Sequence, residues 1–275
     1  MTFEKLLNIV ILSFIVGIII TVCLYLRERF STNFERIFQE SLNQEKLDKK
    51  YIIFFSLLIF PATVFILKNL NENIVLYFYF LAGFLILGSV AYILTGRKIT
   101  ILSGLIYPIL YFNYWNIYTF NLTSVLLVIS LILLMSNMIS WKILRLFFIL
   151  LLSMDIVLVF VTRDMVTFGH KILSLQIPIL IHIPFGKGVS MGLGDIFIAG
   201  LLCMQFAKEK AYQKNKSLQL IWTNIAFLFI ILYIVITYLP EQTYPATIFV
   251  GLSFFGAALI LNSSFSKLAS IKMKK

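Results

Sequence analysis

Of the 275 residues, 60% are hydrophobic and only 13% charged, with a mean hydropathy of +0.97; this excludes a soluble globular domain and marks a polytopic membrane protein. A formal charge of +11 would suggest nucleic acid in a soluble chain, but here it places lysine and arginine against anionic lipid headgroups, with no nucleic-acid partner expected. Cys23 and Cys203 both fall in apolar runs, so no disulfide framework is implied.

A spanning helix needs about 20 apolar residues. By that rule nine spans are predicted, at 6–26, 51–67, 73–95, 99–112, 117–138, 141–162, 190–207, 218–239 and 244–262. The first run, Leu6 to Leu26, is too long for a signal-peptide core and lacks a small-residue cleavage site, so it is read as a retained span. The charged stretch 27–50 has helix-favouring composition and predicts an interfacial or soluble helix. Pro61 kinks the second span unless neighbours satisfy the freed carbonyl. The fourth span is short and contains Pro108; a tilted or re-entrant segment there would reduce the count to eight. Residues 1–275 form one all-α integral membrane domain, with scaffold helices over 1–138 and spans six to nine over 139–262, spans six and seven being joined by loop 163–189.

With nine spans, all of the 23 basic residues except Lys5, Lys68, Arg163, Lys171 and Lys187 fall on the side of the C-terminus. Positive charge stays inside, which predicts a cytoplasmic C-terminus and an external N-terminus.

Two aspartates break the pattern of charge outside the spans. Asp155 sits in LFFILLLSMDIVLVFV and Asp195 in MGLGDIFIAGLLCM. A carboxylate at the centre of a bilayer costs roughly 2.5–3.5 kcal/mol on insertion scales, so an intramembrane acid marks a functional site. Counted from the loop between spans six and seven, the two lie about 10 and 8 Å deep at 1.5 Å per residue. Antiparallel helices can present both at one level, where they share one proton between them. One member then serves as base toward a water and the other, protonated, polarises a carbonyl. This chemistry needs neither metal nor cofactor. Gly192 and Gly194 would let an extended backbone approach the start of span seven; small-residue helix packing is the alternative reading.

In the loop, residues 173–184 are apolar and bracketed by prolines, with isoleucines at 177, 179, 181 and 183 in strand-like alternation. They read either as a strand that captures an extended peptide by main-chain pairing or as an interfacial loop resting on lipid. His170 and His182 have no Cys or carboxylate at metal spacing. Asp164 pairs with Arg163 at the membrane edge. Gly186-Lys187-Gly188 lacks the upstream glycine and following Ser/Thr of a phosphate-binding loop. Trp115 and Trp141 read as interfacial anchors, and the many phenylalanines as lipid-facing bulk.

Gly192-Leu193-Gly194-Asp195 resembles the GxGD signature of the presenilin and signal peptide peptidase intramembrane aspartyl proteases. In that family a first aspartate lies one span earlier, where Asp155 stands. A Pro-Ala-Leu motif opens the last span, where Pro245-Ala246-Thr247 stands. The resemblance covers roughly residues 141–262. The text around both aspartates, VFVTRDMVT and GLGDIFIAG, is more similar to the signal peptide peptidase branch, whose C-terminus is also cytosolic. The compact length is similar to prokaryotic, in particular archaeal, members. Met154 replaces the family's common tyrosine, Thr247 replaces leucine, and Pro-Ala-Thr also occurs at 61–63, where it can have no such role.

The resemblance implies a presenilin-like fold and an intramembrane endopeptidase that cuts transmembrane helices or signal-peptide remnants. Asp155 and Asp195 would be catalytic, with Gly192, Leu193, Gly194, Pro245, Ala246 and Thr247 shaping substrate entry. Its partners would be transmembrane peptides and anionic lipids, with self-association open. The membrane would be the cell membrane in a prokaryote or the endoplasmic reticulum in a eukaryote. Three alternatives stand beside it: a transporter or channel using the aspartates as an ion or proton relay, a prepilin-type GxGD peptidase, and a non-catalytic scaffold.

Overall fold

The computed structural model describes residues 3–42, 69–157, 159, 174–184, 189–238 and 246–272. Its elements in order are α1 (Phe3–Leu42), α2 (Glu72–Thr95), a 3₁₀ segment (Lys98–Leu105) running into α3 (Ile106–Asn113), α4 (Ile117–Met138) and α5 (Trp141–Ile156). A hairpin of β1 (Leu180–Ile183) and β2 (Val189–Gly192) follows, then α6 (Leu193–Glu209), α7 (Lys214–Tyr238) and α8 (Ala246–Lys272).

The nine predicted spans become eight α-helices among the described residues, of which α1, α2, α4 and α7 are long and apolar enough to cross a membrane. The second predicted span, 51–67, lies outside the described residues. The described residues are mostly helical, as expected, with one two-stranded hairpin. The charged stretch after Leu26 is not a separate helix as far as Leu42: α1 runs unbroken for 40 residues, about 60 Å and twice a bilayer core. It stays packed because Phe30 and Phe34 are buried and because Asn33 Nδ2 donates to the Leu94 carbonyl at the end of α2 (3.3 Å).

The weak fourth span has a physical explanation. Its first eight residues are 3₁₀ and its last eight α. At about 2.0 and 1.5 Å per residue they reach about 28 Å, close to the hydrocarbon thickness. The segment lies tightly along α2. A Cβ on Gly88 would sit 2.7 Å from the Ile101 carbonyl oxygen, and one on Gly104 would collide with the Phe84 carbonyl. Such glycine contacts let backbones approach where lipid offers no hydrophobic drive. We expect Gly104→Ala to destabilise the fold by about 1–3 kcal/mol through overpacking, read as a lower midpoint of thermal unfolding in detergent; an unchanged midpoint would refute the close approach.

α6 is the central helix. Every residue from Ile198 to Ala207 is buried, as expected of a helix apolar on all sides, and α1, α4, α5, α7 and α8 pack around it. The phenylalanines are not all lipid-facing bulk: Phe30, Phe148 and Phe254 are buried in this core, whereas Phe14, Phe78 and Phe112 are exposed. Trp141 stacks edge-on against Phe206 and lies near Phe254, while Trp115 sits among Tyr107, Tyr111 and Phe120. Both tryptophans therefore pack on the bundle. Cys23 and Cys203 are buried and unbridged.

Several basic residues gather at one end. Gln205 Nε2 donates to the Ser136 carbonyl, and the Lys214 ammonium lies over the Tyr25 ring. These contacts bring together the end of α4, the end of α6, the start of α7 and the middle of α1. Arg27, Lys142, Lys208 and Lys210 are thus held at the same end of the bundle.

Candidate active site

Asp195 is the third residue of α6, and Gly192 is its N-cap. Asp155 is the penultimate residue of α5, and at Val157 and Val159 the helix widens into a π turn, a distortion frequent at functional sites. Thr247 is the second residue of α8. Three helix ends therefore meet at the end of the bundle opposite the basic cluster.

They share a cavity of about 560 Å³, lined by Asp155, Asp195, Gly192, Leu193, Gly194, Ala246 and Thr247 together with apolar side chains from α2, α4 and α5. The predicted carboxyl pair is thus brought to one cavity. Pro245 lies outside the described residues, as do Arg163, Asp164, His170 and Gly186-Lys187-Gly188.

The two carboxyls are not equivalent. Thr247 Oγ1 donates to Asp155 Oδ2 at 2.6 Å. Among the described residues no side-chain donor reaches Asp195. The two glycines also differ. A Cβ on Gly192 would stand 3.0 Å from Asp195 Oδ2, whereas one on Gly194 would meet nothing within 4 Å. Gly192 therefore makes room for the carboxyl, and Gly194 borders empty cavity.

The strand reading of the loop holds for residues 180–183. β1 and β2 pair antiparallel, with Leu180 opposite Gly192 and His182 opposite Ser190. The Leu193 N–H donates to the Ile179 carbonyl. By antiparallel alternation, Ile181 and Ile183 then turn their backbone groups toward β2, while Leu180 and His182 turn theirs outward. Asn121 of α4 takes both groups of His182: its Oδ1 accepts from the His182 N–H (2.9 Å) and its Nδ2 donates to the His182 carbonyl (2.8 Å). The His182 ring bonds Ser190 Oγ across the hairpin. On β2 the same alternation turns Ser190 and Gly192 outward, and Gly192 lines the cavity.

Sequence reasoning missed Asn121 and Tyr107. Asn121 is a polar residue inside an apolar span, a signal that could have been read. Tyr107 is buried, lines the cavity and has a hydroxyl without a partner among the described residues; nothing in its local sequence distinguishes it from an interfacial tyrosine.

No protein-family model matches the sequence, and no curated protein matches it. A solved structure described as a presenilin family intramembrane aspartate protease, in space group C222, is similar to 93% of this chain over 99% of its own length. The TM-score is 0.60 and the identity 17%. The chain therefore shares the fold of that protease.

Proposed function

We propose that this chain is an intramembrane aspartyl endopeptidase that hydrolyses peptide bonds of transmembrane helices or signal-peptide remnants. The observation that carries the reading is one cavity holding two carboxyls made unequal by Thr247. The Thr247 hydroxyl on Asp155 stabilises its negative charge, which leaves the shared proton on Asp195. Asp155 takes a proton from water, the water oxygen attacks the carbonyl carbon, and Asp195 gives its proton to the carbonyl oxygen. The resulting gem-diol collapses as the C–N bond breaks, the nitrogen receiving the proton held by Asp155 while a gem-diol hydroxyl returns its proton to Asp195.

A helical substrate must be extended before its carbonyl is open to attack. The outward edge of β2 supports main-chain capture, because Gly192 lies on that edge, in the cavity wall, and three residues before Asp195. Asn121 closes the other edge at His182. Lysine and arginine at the end opposite the aspartates support a cytoplasmic location for that end. The signal peptide peptidase-like text and this orientation favour substrates whose N-terminus is cytoplasmic. Anionic lipid would bind the basic end, and self-association is compatible with the exposed apolar helix faces.

The test is reconstitution of the wild-type chain in liposomes with a signal-peptide-like reporter in H₂¹⁸O. Hydrolysis yields two fragments with one ¹⁸O in the new carboxyl. An intact reporter together with aspartate-dependent proton flux would instead establish the relay reading. Gly194→Ala separates substrate contact from folding. Because its Cβ meets no protein atom, we expect an unchanged unfolding midpoint with cleavage reduced about tenfold, as a methyl displaces the bound backbone. Full activity would place the substrate elsewhere.

A further inference from the structure

At the basic end, far from the aspartates, a second cavity of about 390 Å³ opens between the Leu24–Thr32 stretch of α1 and the start of α7. Along α6 it lies about 21 Å beyond Asp195, the rise of the helix from that residue to Glu209. Its wall holds Arg27 and Lys214, the hydroxyls of Ser31, Thr32 and Ser217, and the carboxylate of Glu28. Arg27 is the first charge after the apolar run that ends at Leu26. The cavity therefore stands where hydrocarbon gives way to headgroups.

Lys214 is held in place without being neutralised. The Lys214 Nζ sits 3.7 Å above the centroid of the Tyr25 ring, a contact that orients the ammonium without cancelling its charge. Among the described residues neither Arg27 nor Lys214 has a carboxylate partner within 4.0 Å, and Arg27 is half-buried. A guanidinium fork and an ammonium facing one cavity suit a phosphate. Toward the membrane centre, Tyr25, Ile18 and Phe14 leave one exposed apolar face of α1. Trp222 of α7 joins it, its ring beside Phe14 and over Gly17. An acyl chain hanging from the cavity would lie along this face.

We propose that this cavity binds the headgroup of a membrane glycerophospholipid, with the phosphodiester between Arg27 and Lys214. The hydroxyls of Ser31, Thr32 and Ser217 donate to Glu35, the Glu28 carbonyl and the Gln213 carbonyl, and keep lone pairs for a headgroup ammonium. Glu28 on the same wall receives a headgroup ammonium, so phosphatidylethanolamine is preferred over phosphatidylglycerol. The acyl chains run along Tyr25, Ile18 and Phe14.

Native mass spectrometry of the full chain in mild detergent, delipidated and titrated with each lipid, tests this without reference to proteolysis. The wild type should retain one phosphatidylethanolamine, and Arg27→Gln with Lys214→Gln should weaken retention by about tenfold or more. Lys214→Gln alone, at an exposed position, should lose a measurable part, and Lys214→Arg should restore it. Glu28→Gln should abolish the preference for the ethanolamine headgroup. Millimolar inorganic phosphate should neither raise the unfolding midpoint nor displace the lipid. Equal retention by the charge-removed variants would overturn the site. Stabilisation by inorganic phosphate equal to that by lipid would make it a small-anion site, and equal binding of both lipids would overturn the role given to Glu28.

Discussion

Asp155→Asn and Asp195→Asn should each abolish reporter cleavage, a loss of at least about 10²–10⁴-fold for removal of a general acid or base. Asparagine keeps the size and polarity of each side chain but can neither accept the water proton nor deliver one. The double variant should be no worse than either single one, because groups that act as a unit are not additive in their removal. Both variants should unfold at or above the wild-type temperature, since each removes an acid from an apolar cavity without leaving a void. Product formation at the wild-type rate by either variant would exclude the dyad. Loss of activity together with loss of fold would show instead that the aspartates are structural.

Thr247→Val should lower turnover about tenfold to a hundredfold, the value of a hydrogen bond to a charged group. Valine preserves the shape of threonine and removes the donor that lies 2.6 Å from Asp155 Oδ2. The charge on Asp155 would then lose its observed side-chain donor, and the dyad would lose the asymmetry that divides base from acid. Thr247→Ser keeps the hydroxyl and should retain most of the activity. Because Thr247 also lines the cavity, substrate affinity has to be separated from turnover. A positioning role predicts a fall in kcat with little change in KM, and a fall confined to kcat/KM at low substrate would assign Thr247 to binding instead.

Much of this site was legible before folding. The membrane class follows from composition, and the aspartates stand out because a charge inside an apolar run is costly enough to be rare. Alternation of isoleucines around residue 180 left strand and interfacial loop both open, and β1 is there because those residues bury one face while Asn121 satisfies the backbone of His182. The fourth span was obscure because hydropathy assumes an α-helical rise; its 3₁₀ start depends on how closely Gly88 and Gly104 let two backbones approach, which is a tertiary fact. The continuation of α1 past Leu26 was likewise decided by burial of Phe30 and Phe34 against the bundle.

The sequence alone determined the solvent of this protein, the approximate number of its helices and the two groups able to do acid–base chemistry, since each depends on the cost of placing a residue type in hydrocarbon. Tertiary structure alone decided how these parts relate. Three helix ends had to meet before Thr247 could distinguish one carboxyl from the other, and two helices had to pack before Arg27 and Lys214 could face a common cavity. Hydropathy is a property of one segment with its solvent, whereas hydrogen bonds and charge pairs are short-ranged and directional, so they appear only when residues as far apart as 155 and 247 are brought within reach.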